Sequence, residues 1–155
     1  MDNCIDAELL VCEYSHKQKL FHVTTLPDMI QMNNIIVCNG LKNDYVPFAI
    51  CSDVTQANHN CDAIAKQKKI RCFVNIKNHI VSTADSELLN WFVAEYSYKN
   101  DKFRVRTFRD MLEKNMNSIM DVSGDGFIPF CITKASESAY INCQKMRDIL
   151  NKKRR

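Results

Sequence analysis

The sequence predicts a mixed α/β domain of the α+β kind. Three observations predict it. Residues 9–14 and 19–24 alternate apolar and polar side chains on either side of a polar His16-Lys17-Gln18 stretch, the period of a hairpin. Residues 102–108 alternate Phe103, Val105 and Thr107, and residues 127–133 form a second late apolar run. Longer polar stretches with helical spacing separate these strands.

Taken in order, Pro27 stands where a helix accepts proline, in the first turn of a short helix over 27–33, and residues 35–38 form a short apolar run. The polar turn Asn39-Gly40-Leu41-Lys42-Asn43-Asp44 leads into a strand, Tyr45-Val46-Pro47-Phe48-Ala49-Ile50. Ser52 is the expected cap of a helix reaching residue 69, because its hydroxyl can accept from an early unpaired amide. Residues 71–82 read as one long strand or a strand pair, with Cys72-Phe73-Val74-Asn75-Ile76 at its start. Leu88, Trp91, Phe92 and Glu95 recur at helical spacing, which predicts a helix over 84–96. Residues 102–108 form a strand leading into a helix over 109–120; 121–126 are a turn, 127–133 a strand and 137–152 a closing helix. Read segment by segment, the chain shows no internal repeat.

A chain of 155 residues, 46% hydrophobic and 25% charged, can bury the core of one domain, expected over 1–150 with a basic tail at 151–155. With its acidic opening no secretory leader is expected, and no apolar run nears the roughly 18 residues that span a bilayer. A cytoplasmic location without a membrane partner is the expectation. Eight cysteines contain no Cys-x-x-Cys pair, so reduced thiols acting as small hydrophobes are expected. Cys51, His59, Cys61 and Cys72 come nearest to a metal set, but their spacing matches no metal site and no metal is expected. The net charge of +3 is concentrated at residues 66–71, 99–109 and 151–155. In the second cluster Phe103 and Phe108 interleave with Lys102, Arg104, Arg106 and Arg109, a pattern suited to phosphates and unpaired bases; the ordinary reading is a solvated face.

His22 and Thr24 end an apolar strand, where imidazole and hydroxyl groups can fix a small polar ligand; the plainer role for His22 is a satisfied core histidine. The stretch Phe21-His22-Val23-Thr24, Leu26-Pro27-Asp28-Met29-Ile30, Cys38-Asn39-Gly40 and Asp44-Tyr45-Val46-Pro47-Phe48 resembles the amino-terminal signature of the DarT-type ADP-ribosyltransferases. That resemblance implies an ADP-ribosyltransferase-like fold, with a split β-sheet core and flanking helices, NAD as substrate and a nucleic-acid base, DNA or RNA, as acceptor. It also implies the setting of a toxin with an antitoxin partner or an effector of defence against phage. By the same resemblance His22, with Thr24, contacts the dinucleotide, while Asn39 and Gly40 approach a ribose or amide. Tyr45 and Phe48 would wall the nicotinamide, with core packing as the alternative for both. The catalytic carboxylate falls to Asp110 or Glu113 after the basic strand, with Glu95 and Glu137 behind them; helix-face charges are the alternative. The arginine that such enzymes carry after the Val-Pro-Phe strand has no counterpart in Cys51-Ser52-Asp53-Val54-Thr55. The alternative function is therefore a non-catalytic relative that binds nucleic acid or a protein partner.

Overall fold

The computed structural model describes residues 9–70, 87–120 and 126–154. The strand expected over 71–82, Cys72 of the cysteine–histidine set, and residues 121–125 of the expected turn lie outside them. A hairpin of β1 (Leu10–Ser15) and β2 (Leu20–Thr25) runs into α1 (Leu26–Cys38), then β3 (Tyr45–Cys51) and α2 (Val54–Ile70). After a 3-10 turn at Glu87–Asn90 come β4 (Phe92–Ser97), β5 (Lys102–Thr107), α3 (Phe108–Met120), β6 (Phe127–Thr133) and α4 (Ser136–Lys153). The strands form two three-stranded antiparallel sheets, ordered β2-β1-β3 and β5-β4-β6. The chain is thus mixed α+β, as its pattern predicts.

The two sheets are copies of one plan. Residues at a constant separation of 82, the interval from Glu13 to Glu95, take the same place in each: Glu13-Tyr14-Ser15 matches Glu95-Tyr96-Ser97, and Val46-Pro47-Phe48 matches Ile128-Pro129-Phe130. Both sheets shift register at one point, between Cys12 and Glu13 and between Ala94 and Glu95, which sets each glutamate opposite a proline on the edge strand. Both hairpins turn through a positive φ, 56° at Lys19 and 54° at Asp101. In each the next helix is capped by a threonine, with Asp28 N donating to Thr25 Oγ1 at 3.2 Å and Asp110 N to Thr107 Oγ1 at 3.1 Å. An internal duplication therefore replaces the repeat-free reading. It escapes segment-by-segment inspection because identities are sparse and concentrated where geometry demands them.

The halves are interlocked rather than strung together. Helix α1 packs on β6 of the other half and α3 on β3, whereas α2 and α4 cover their own sheets. Asn33 of α1 donates to the Pro129 carbonyl at 2.9 Å, and Asn115 of α3 to that of Pro47 at 2.8 Å. Each proline sits on an edge strand at the bulge, where its missing N–H costs no ladder bond and its carbonyl is open to the helix. Between the sheets, Val11, Leu26, Met29 and Ile50 meet their counterparts Val93, Phe108, Met111 and Ile132 in one buried cluster.

Four expectations are corrected. Of the helix predicted over 84–96, the residues from 87 on form a 3-10 turn followed by β4, the central strand of its sheet, and 84–86 lie outside the described residues. Val93 to Ser97 are all buried there, so no alternation marks the strand. Helix α1 runs unbroken through residues 35–38. Helix α2 is capped by Asp53, whose Oδ1 accepts from Gln56 N at 2.8 Å, and not by Ser52. The expected basic tail is helical through Lys153, and Arg154 grips both carboxylate oxygens of Asp101 at 2.9 and 3.0 Å.

Candidate functional site

His22 lies directly across from Glu13 in the β1–β2 ladder, and its Nδ1 stands 3.0 Å from Glu13 Oε1. The glutamate side chain is only 6% exposed, the imidazole 55%. Burial pushes the Glu13 carboxyl above the ordinary carboxylate range, and the neighbouring His22 partly opposes this. The Tyr45 ring stands edge-on to the imidazole, 5.6 Å between centroids. These groups open into a cleft of about 580 Å³ with Thr24, Asn33, Asn43 and the α1 face that carries Asp28, Met29 and Gln31. Such a volume with a few convergent polar groups suits a small polar ligand.

The same position in the second half is built differently. Glu95 is fully buried and both of its oxygens are taken: Arg104 reaches them at 2.9 and 3.3 Å, Arg106 at 2.7 and 3.0 Å. Arg104 replaces His22, Arg106 replaces Thr24, and Phe127 replaces Tyr45, with the Arg104 guanidinium stacked 3.8 Å above its ring. The second half thus holds a closed ion triad where the first holds a partly exposed carboxyl–imidazole pair.

Of the residues singled out from sequence, the fold brings His22, Thr24 and Tyr45 together. Phe48 does not join them: it is wholly buried against Phe21 and the α2–α3 side chains of its core, so it cannot wall a ligand. Asn39 and Gly40 end α1 instead, Asn39 Nδ2 donating to the Ile35 carbonyl and Gly40 adopting φ 68° for the reversal. Asp110 and Glu113 do not line the His22 cleft; they occupy in α3 the places that Asp28 and Gln31 hold in α1. Glu95 has no open oxygen for catalysis, and Glu137 sits exposed in the first turn of α4. Arg104 and Arg106 are committed to Glu95, which leaves, of the four cations expected there to meet phosphate, Lys102 and the exposed Arg109 without a carboxylate partner among the described residues. Glu13, Asn33 and Asn43 are cleft residues that sequence reasoning passed over. The recurrence of Glu-Tyr-Ser at a fixed interval was the signal that could have found Glu13.

Cys12, Cys51 and Cys61 share one buried cluster, the Cys12 and Cys51 sulfurs 3.9 Å apart. Among the described residues no group of three or more histidine, cysteine or acidic side chains could hold a metal ion, and no helix is long and apolar enough to cross a membrane. No family model, curated protein or solved structure matches the chain.

Proposed function

We propose that the first-half cleft binds a nucleotide-sized polar ligand and that Glu13 and His22 handle protons on it. One observation carries the reading: on the same scaffold position one half neutralises its glutamate with two arginines, while the other leaves it with a single titratable partner facing a cleft. NAD is the ligand that the DarT-type likeness of residues 20–50 suggests, with transfer of ADP-ribose to a nucleic-acid base as the reaction. In that reaction the glycosidic bond to nicotinamide breaks and the ribose carbon bonds the acceptor, whose proton passes to the Glu13–His22 pair. Glu13 takes the role that the likeness would give to Asp110 or Glu113, since it is the carboxyl within hydrogen-bond reach of His22.

Labelled NAD and mixed oligonucleotides provide the test. Transfer should be abolished by Glu13→Gln and His22→Ala and survive Glu113→Gln and Asp110→Asn; loss with the latter pair alone would move catalysis to the second half.

A second reading has its own support. The Val46-Pro47-Phe48 strand of the likeness recurs as Ile128-Pro129-Phe130, where proline meets the bulge and phenylalanine fills the core, so that part of the signature is accounted for by scaffold geometry. On this reading the chain is a duplicated, non-catalytic binding module. Saturable NAD binding without turnover or transfer would select it.

A further inference from the structure

A second cleft, of about 590 Å³, lies where the two hairpin turns and the α1–β3 loop meet. Lys17, Lys42 and Lys99 line it with Tyr45, Tyr96 and Tyr98. Lys17 and Lys99 are equivalent residues of the two halves, so the interlocked fold brings matching turn lysines to one cavity, and Lys42 adds a third cation from a separate loop. None of the three ammonium groups has a carboxylate partner among the described residues. The single acidic side chain in the lining, Asp44, is already committed, accepting from Ser15 Oγ at 2.8 and 3.0 Å and from Lys17 N at 2.8 Å. Lys42 Nζ stands 5.3 Å from the centroid of the half-exposed Tyr98 ring, which places a cation beside an accessible aromatic face. Tyr96 is fixed from behind, its hydroxyl donating to Asp101 at 2.7 Å.

We propose that this lysine–tyrosine cleft is a nucleotide site, with Lys17, Lys42 and Lys99 holding the phosphates and the Tyr98 ring stacking on the base. Three ammonium groups against the one Asp44 carboxylate leave the concavity with a net positive charge, which favours a multiply charged anion, since ammonium groups act on phosphate as point charges. The adjacent ring selects among such anions for one bearing an aromatic group. Asn43 and Tyr45 line both clefts, so the site adjoins the Glu13–His22 cleft, yet it depends on none of that cleft's titratable groups.

Titration calorimetry of the full chain with ADP, adenosine and inorganic pyrophosphate tests the assignment. ADP should bind more tightly than either fragment, and its affinity should fall as salt rises. The triple variant Lys17→Gln, Lys42→Gln, Lys99→Gln should weaken ADP about tenfold or more, and Tyr98→Ala should weaken ADP while sparing pyrophosphate. Any ADP held by the neighbouring cleft is told apart by combining variants: in a chain already carrying His22→Ala the lysine triple variant should still weaken ADP about tenfold or more, and the assignment fails if His22→Ala alone abolishes ADP binding. All four side chains are exposed, so the variants should fold, as circular dichroism will verify. The assignment fails if ADP does not bind, if the triple variant binds it with full affinity, or if a single-stranded oligonucleotide uses the same lysines far more tightly.

Discussion

Glu13 is a buried carboxyl whose hydrogen-bond partner, His22, is half-exposed. Its carboxyl is held above the ordinary value of 4.5, first by burial, against the opposing effect of His22. A carboxyl whose folded value is raised binds its proton more tightly folded than unfolded, so its stabilising contribution is present below that ordinary value and is lost as pH rises through the raised one. Glu13→Gln should therefore flatten the decline in stability above about pH 4.5, read as urea midpoints across a pH series; an unchanged slope would show that folding does not raise the proton affinity of the carboxyl. Asp101 behaves oppositely. The Arg154 guanidinium beside it, with Tyr96 and Arg147, holds its carboxyl well below the ordinary range. Its contribution is present above the ordinary value of 3.8 and fades as pH falls. Because Asp101 is 43% exposed, solvent screens these pairs, and Asp101→Asn should cost under about 1 kcal/mol at neutral pH in thermal or urea unfolding.

Among the elements, β4 and β5 carry the strongest electrostatic commitment. Glu95→Ala would remove the anion that Arg104 and Arg106 share and leave the Arg106 guanidinium, 11% exposed, facing the emptied site, and should destabilise the chain by about 3–5 kcal/mol. Rebuilding the site on the first-half pattern, with Arg104→His and Arg106→Thr, should cost clearly less, because the same backbone already accommodates a glutamate with histidine and threonine around it. A urea melt in which the double variant is as unstable as Glu95→Ala would show that the two scaffolds are not interchangeable. The helix–strand bonds of Asn33 and Asn115 allow a matched comparison. Replacing either by alanine strands a buried proline carbonyl and should cost about 1–3 kcal/mol, with Asn33 the costlier because it also accepts from Asn43 at 2.8 Å. Strands that expose one face, such as β2 and β5, were legible from their alternation, whereas β4 was not. A central strand covered on both faces loses the period-2 pattern, and its apolar spacing then imitates a helix.

On the scale of the whole molecule, each half depends on the other for a helix. Since α1 covers β6 and α3 covers β3, a fragment ending at residue 86 or beginning at residue 87 would expose the central cluster that joins Leu26 and Met29 to Phe108 and Met111. Separately the fragments should show little native circular dichroism, and mixed they should recover it in a one-to-one complex; independent cooperative folding of either would contradict the interlock. Sequence pattern alone established the α+β class, the first hairpin-to-helix unit, the strand β5 leading into α3, and the closing helix, because period and proline position are local properties. It also placed His22, Thr24 and Tyr45 on neighbouring elements. Only the tertiary structure decided that Glu13 completes their cleft, that Glu95 consumes Arg104 and Arg106, and that Phe48 turns inward. It alone also brought Lys17 and Lys99 to one cavity. Those outcomes rest on strand register and on helices exchanged between halves, which pair residues far apart in the chain and leave no periodic trace at any single position.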